Sequence, residues 1–253
     1  MIKLKNYKFI LVLIMFLTIV ISLNMEAKDN NLEQGKDLFF QAREDYYNGD
    51  NDIEKLIETA GQSNFYLEKV NNDDQKYLWQ GQVEFLIAEM YEVKGEPRKA
   101  ARHFENSSEL ALKSIKKNKK LSEAHRLLAD TYMRLMEYKG VIYLMTSGPK
   151  AVKLLQKAVK LDKENYTAFN SLGIYYINAP KIGGGDIDKG ITMFQKALDS
   201  KDKFDNFISY IWIANAYIKL KDKDQAIDSA KQALKIYPAN KWAEDILKEA
   251  KEI

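Results

Sequence analysis

YIWIANAYIKLKDKDQAIDSAKQALKIYP, residues 210–238, is the stretch from which the fold can be read. Tyr210 is followed at +3 and +4 by Ile213 and Ala214, and at +7 by Tyr217. Nine residues later come Ala226, Ala230 and Ala233, and then Pro238. Apolar residues at i, i+3, i+4 and i+7 make one face of an α-helix. The stretch therefore predicts a pair of helices, the first marked by Tyr210 to Tyr217 and the second by Ala226 to Ala233. The small residues Ala214 and Ala226 let the two helices cross closely, and the larger ones around them fill the space beside that crossing.

The same frame recurs upstream. Phe169, Leu172, Gly173 and Tyr176 are followed by Gly190, Phe194 and Ala197. His125, Leu128, Ala129 and Tyr132 are followed by Ala151, Leu155 and Ala158. Ile87, Ala88 and Tyr91 are followed by Ala100 and Phe104, with Glu84 where the aromatic would stand and Ser107 where the final alanine would. A single such pair cannot bury its apolar face, whereas stacked pairs can. The spacing resembles the tetratricopeptide repeat, W-x2-L-G-x2-Y…A-x3-F-x2-A…P over about 34 residues. The resemblance covers about residues 77–240. It implies an all-α fold, a right-handed superhelix (an α-solenoid of antiparallel helix pairs) with a C-terminal capping helix. The expected organisation is one solenoid domain at 28–253: a leading helical pair at 32–70 around the turn NGDND (48–52), repeats at about 77–117, 122–163, 166–204 and 207–240, and a cap at 241–253 in which Trp242 and Leu247 close the last repeat. The leading pair does not fit the pattern residue by residue.

Composition agrees and excludes much else. The chain has 253 residues, 46% hydrophobic and 30% charged, as a folded globular protein requires. Four prolines and twelve glycines are few for the turns of a β-sandwich or barrel. With no cysteine there is no disulfide framework, thiolate metal site, cysteine nucleophile or lipidated cysteine. Residues 1–8, MIKLKNYK, carry three lysines and no acid, and 9–23 are apolar except Thr18 and Ser22. This is the layout of an export signal, with Ala27 before the cut; the run is short for a span of about 20 residues, and an uncleaved anchor is the other reading. Both send the rest of the chain across the inner membrane, with the periplasm as the expected compartment. Losing three lysines and one glutamate with 1–27 leaves 36 basic and 35 acidic residues, so the net charge falls from +3 to +1. That leaves no global basic field for nucleic acid, and the cluster KSIKKNKK at 113–120 reads as a solvated helix C-terminus.

Two repeats depart from the regular spacing. Ala214 to Ala226 is twelve positions, but Gly173 to Gly190 is seventeen and Ala129 to Ala151 twenty-two. The extra residues are 178–186, NAPKIGGGD, and about 138–149, YKGVIYLMTSGP. Insertions at one point of the repeat map to one edge of a solenoid, so these two are expected to touch. Val141, Ile142, Tyr143, Leu144 and Met145 are five apolar residues in a row and are expected to be buried, either by extending the first helix of the pair or as a lip over the concave face. Gly183, Gly184 and Gly185 read as a tight turn with Asp186 as a helix N-cap, since no strand precedes them and no Lys-Ser/Thr pair follows. The segment 148–198, with its A-P-x-x-G-G turn, is also similar to the T-component proteins of TRAP transporters and to regulator-of-microtubule-dynamics proteins. T-components are typically lipoproteins, and the missing cysteine departs from them.

Nothing in the sequence assembles a nucleophile, a base and an orienting group. The two histidines fall beside the core Phe104 and at a helix packing position, as His103 and His125. No enzyme activity, cofactor or metal is expected. The resemblance instead places a concave groove on the first helices, with candidates Arg126, Asp130, Met133 and Arg134, then Asn170, Ile174 and Ile177, then Ile211, Asn215 and Ile218. Phe85 occupies the place of the first lysine of the carboxylate clamp in chaperone-binding relatives, so that clamp is not matched. Arg126 and Arg134 lie eight residues apart with Asp130 midway, which suits either anchoring a ligand carboxylate or internal pairing as an exposed, weak arrangement. The expected function is a non-catalytic scaffold in the cell envelope that holds a protein or peptide partner. The alternative is an accessory subunit of a solute transporter with a small apolar or amphipathic ligand. Envelope or transporter proteins are the expected partners, with membrane contact only through an uncleaved N-terminus.

Overall fold

The computed structural model describes residues 30–253 and contains ten α-helices and no strand among them. The leader read at 1–27 lies outside the described residues. α1 covers 30–47. It is followed by α2 (Ile53–Leu67), α3 (Asp73–Val93), α4 (Pro97–Lys117), α5 (Ser122–Leu161), α6 (Tyr166–Asn178), α7 (Ile187–Ala197), α8 (Lys203–Leu220), α9 (Lys223–Ile236) and α10 (Lys241–Glu252). None of these helices is long and apolar enough to cross a membrane.

Short polar residues start the helices. Asp52, Asn165, Asp186, Asp222 and Asn240 each accept a hydrogen bond from the backbone N–H three residues on, at 2.8–3.2 Å. Such a cap satisfies one of the four N–H groups that a helix start leaves unpaired. Asp186 thus closes the glycine turn as expected. In that turn Gly184 is left-handed at φ 89°, and a Cβ on Gly185 would lie 1.8 Å from the Ala179 carbonyl oxygen. The glycines are there for backbone geometry.

Helix pairs cross at small residues. Ala88, Ala100, Ala129, Ala151, Ala214 and Ala226 are fully buried at these crossings. In the α6–α7 pair the fit is close: a Cβ on Gly173 would be 2.6 Å from the Phe194 ring. Buried serines add hydrogen bonds across two pairs. Ser107 Oγ donates to the Gly81 carbonyl oxygen at 2.7 Å, and Ser63 Oγ to that of Gly35 at 2.7 Å. The leading pair α1–α2 is therefore built like α3–α4. The sequence frame misses it because Gly35 and Ser63 are 28 residues apart and Gly81 and Ser107 only 26.

The 138–149 insertion differs from expectation. Gly140, at φ 75° and ψ −175°, kinks α5 into two limbs, and the extra residues begin the second limb instead of extending the first. Tyr143 docks against the Phe104 and Leu135 cluster. Its neighbours are not buried: Ile142 is 77% exposed, and Val141, Leu144 and Met145 are also open. Side chains on consecutive helical positions are about 100° apart, so docking one of the five turns the others away.

The first helix of each pair, namely α1, α3, the first limb of α5, α6 and α8, forms an inner wall, and α2, α4, α7 and α9 contribute nothing to it. α1 also packs on the far end of the chain. Tyr47 sits among Phe207, Ile211, Ala233, Tyr237 and Ala243. Arg43 Nη2 is 2.9 Å from Asp202 Oδ2, the Tyr237 hydroxyl donates to Glu44 at 2.8 Å, and Asn240 Nδ2 donates to the Tyr47 carbonyl oxygen at 2.8 Å. A Cβ on Gly49 would come within 2.6 Å of the Ala239 carbonyl oxygen. The superhelix is thus closed into a ring. Tyr47→Ala combined with Arg43→Ala is expected to open it, since truncating a buried aromatic costs about 3–5 kcal/mol. Small-angle scattering should show a larger radius of gyration, while circular dichroism keeps most of the helix signal, because each repeat is held by its neighbours.

Candidate functional site

Closure turns the concave face into a chamber of about 1300 Å³. Much of its wall is aromatic. Phe39, Phe40 and Trp79 pack edge to face, with ring centroids 5.4–5.6 Å apart. Such pairs contribute about 0.5–1.5 kcal/mol beyond their area. Phe85, Phe204, Ile208 and Trp212 continue the wall, and Trp242 completes it from α10, so all three tryptophans of the chain face this space. Both insertions reach it as well: Leu144 and Met145 from one, and Ile182, which is 99% exposed, from the other. They form an apolar lip on the chamber.

Of the ten groove candidates, the structure brings six together in this wall: Arg126, Asp130, Met133, Arg134, Asn170 and Ile174. Ile177 lies instead in the core with Ile191 and Phe194, and Ile211 is buried under Tyr47. Ile218 packs beside Ala214 and Ile246, and Asn215 is half-buried outside the chamber. The physical reason at the C-terminal end is the closure itself. α1 covers the face where Ile211 would have been open, and Ile208 and Trp212 line the chamber there. The aromatic residues of α1 belong to the site although the sequence frame did not reach them; the pair Phe39-Phe40 beside a turn-bounded helix was the available signal.

The arginines are not the exposed pair that their spacing suggested. Arg126 is 6% exposed. It forms an ion pair with Glu123, is 2.8 Å from Asp130 Oδ2 and donates to Gln82. Burial works against its charge, but the two carboxylates more than restore it and hold the guanidinium above its ordinary value. Burial pushes the Asp130 carboxyl upward, against the pull of Arg126. Ser171 Oγ donates to Asp130 at 3.0 Å, tying α6 to this group. Arg134 pairs with Glu92 and with Glu137 at 3.3 Å, and not with Asp130. Asn170 is engaged at both ends of its amide, donating to the Asp205 carbonyl oxygen and accepting from Ser209 at 2.7 Å. It holds α6 to α8.

The wall presents six carboxylates, those of Glu89, Glu123, Asp130, Glu137, Asp202 and Asp205, against four cations, Arg43, Arg126, Arg134 and Lys153. Each of the three arginines is paired with a carboxylate. Glu89 on α3 has no hydrogen bond and no ion pair among the described residues. Burial pushes its carboxyl up to about 7, with Arg134 opposing. His103 Nδ1 lies 2.8 Å from Glu84, and His125 Nε2 lies 2.9 Å from the Lys119 carbonyl oxygen; neither histidine lines the chamber.

Arg126→Ala removes the one cation between two wall carboxylates. Breaking a buried ion pair by deleting one partner costs about 3–5 kcal/mol. Urea unfolding should therefore show Arg126→Ala strongly destabilised and Arg134→Ala, whose side chain is more open, changed by about 1 kcal/mol or less.

A tetratricopeptide-repeat model matches residues 208–240, the α8–α9 pair with the turn into α10. No curated protein matches the chain by sequence. Among solved structures, TTC0263, a thermophilic TPR protein of Thermus thermophilus, superposes with a TM-score of 0.61 at 14% identity, over 89% of this chain and 100% of that one. YrrB, a TPR protein with an unusual peptide-binding site, is similar at a TM-score of 0.44 and 14% identity, over 89% of this chain and 97% of that one. The stacked pairs, the repeat matched at 208–240 and the superposition on TTC0263 show that the chain has the fold of tetratricopeptide-repeat proteins, a right-handed helical solenoid.

Proposed function

We propose that the protein is a non-catalytic binding module that encloses an extended peptide segment of a partner protein inside the ring. The observation that carries this reading is the chamber itself. Its volume of about 1300 Å³ exceeds the roughly 300–1,000 Å³ of ordinary small-molecule pockets, and its wall mixes aromatic area with polar groups along its length. Burial of apolar side chains supplies affinity, and rigid aromatic rings lose little entropy on contact. The partner meets the chamber in the cell envelope after export directed by the N-terminal apolar run.

A second reading is a small amphipathic ligand handled on behalf of a solute transporter. It is favoured by the apolar lip that Leu144, Met145 and Ile182 place on the chamber. The two readings separate by cross-linking. A photoreactive amino acid at Ile208, inside the ring, is expected to cross-link to polypeptide in the intact envelope, while one at exposed Val93 is not. Adducts no heavier than a small molecule at position 208 would favour the second reading. Cell fractionation with N-terminal sequencing should find a chain starting near residue 28 outside the cytoplasm; a full-length chain free in the cytoplasm would contradict export.

A further inference from the structure

The spacing of Arg126 and Arg134 suggests an acidic ligand, yet the chamber's charges argue for the opposite. Arg126, Arg134 and Arg43 already face carboxylates of the protein. A carboxylate binding to any of these three arginines would compete with an internal partner and leave it unpaired in the wall, which is unfavourable. Among the wall's charged side chains, Glu89 and Lys153 have no hydrogen bond or ion pair among the described residues; Lys153 is exposed, whereas Glu89 is half-buried on α3. Trp79, Gln82, Leu86 and Glu89 follow one another at intervals of three and four, so one face of α3 carries an aromatic ring and a carboxyl with no direct partner. Phe85 lies one turn before Glu89 on the same helix and also lines the chamber. A carboxylate beside aromatic faces binds a cation twice over, through charge and through the ring quadrupole.

We propose that the segment held in the chamber carries a basic residue, a lysine or arginine, whose cation pairs with Glu89 while its apolar stem and neighbours lie on the aromatic wall. The inference rests on the chamber being a peptide site, and it names the chemistry of the peptide. It also implies that binding is coupled to proton release. Without a ligand, the Glu89 carboxyl is held up to about 7, first by burial and then by the charge of Asp130, with Arg134 and Arg126 opposing. From α1, Tyr46 and Tyr47 face it as neutral hydroxyls, their own ionisation pushed upward chiefly by burial. A bound cation favours the ionised form, so affinity rises as pH rises through the free carboxyl's range.

The test uses the three tryptophans of the chamber as reporters. The probes are three blocked pentapeptides, acetyl-LLKLL-amide and its counterparts with glutamine or glutamate at the centre, with hexylamine as a free amine. The lysine peptide is expected to quench tryptophan fluorescence at a concentration at least about tenfold lower than the glutamate peptide, and its affinity should rise about tenfold between pH 5.5 and 8. Glu89→Gln should erase both differences. The variant should fold, because a carboxyl raised in the folded state is stabilising while protonated and costs stability as pH rises from its unfolded value through about 7; its Tm at pH 8 is expected to be no lower than that of the parent. Equal binding of all three peptides would overturn the basic-residue inference and leave the peptide reading standing, as would a charge preference that survives Glu89→Gln. Binding of hexylamine alone, lost in Glu89→Gln, would support the cation site and move its source from a peptide to a free amine. No response to any probe would overturn both.

Discussion

The docking of Tyr47 and its neighbours onto the last two helix pairs is the contact on which the rest of this molecule depends. A solenoid ordinarily touches only the next repeat, so its concave face stays open and its curvature can vary. Here α1 reaches across to Phe207, Tyr237 and Ala243 and adds the Arg43–Asp202 pair and two hydrogen bonds at the same place. The close approach of Gly49 to Ala239 leaves no room for a side chain at that seam. A ring fixed this way has one radius, and that radius sets the chamber.

The chamber's electrostatics follow from its enclosure. Charges on an open groove are screened by water and salt, and their pairing contributes little. Once the ring closes, Arg126 and Asp130 become wall groups that must satisfy one another. The carboxylates of Glu123 and Asp130 hold Arg126 charged, and the Ser171 hydroxyl of α6 donates to Asp130. The arrangement joins α5 to α6 and removes these residues from the pool of free anchors. Glu89 is left without a direct partner, and burial outweighs the pull of Arg134 and Arg126 on its carboxyl, a cost in stability of the kind found at binding sites.

The two insertions show how backbone geometry decides side-chain exposure. Gly140 adopts a left-handed φ that ends the first limb of α5, and the chain restarts as helix at once. The apolar run after it therefore sits on a rigid helix and not in a loop that could fold inward. Only Tyr143 finds a core to enter. In the other insertion the glycine turn lifts Ile182 clear of the protein, held by the Tyr175 hydroxyl donating to the Gly183 carbonyl oxygen at 2.7 Å. Both carry apolar side chains to the chamber because both interrupt the same point of adjacent repeats.

The sequence by itself determined the helix pairs from Ala88 onward, their close crossings and the cap at Asp186, because these depend on residues a few positions apart: small side chains at fixed spacing, a carboxylate before a helix start, a glycine where φ is positive. It also placed Arg126, Asp130, Met133, Arg134, Asn170 and Ile174 on inward-facing positions, since the first helix of a repeat has one face for its partner and one for the concave side. Tertiary structure alone decided that the groove is closed. The residues that close it, Arg43, Glu44 and Tyr47 with Asp202, Tyr237 and Asn240, are 159 to 193 positions apart, and the first three belong to a leading pair with a two-residue shift in its frame. No periodicity links them. Whether Ile211 faces a groove or a core, and whether Arg126 is a surface anchor or a buried partner, depends on what lies across that gap, and only the packed ring specifies it.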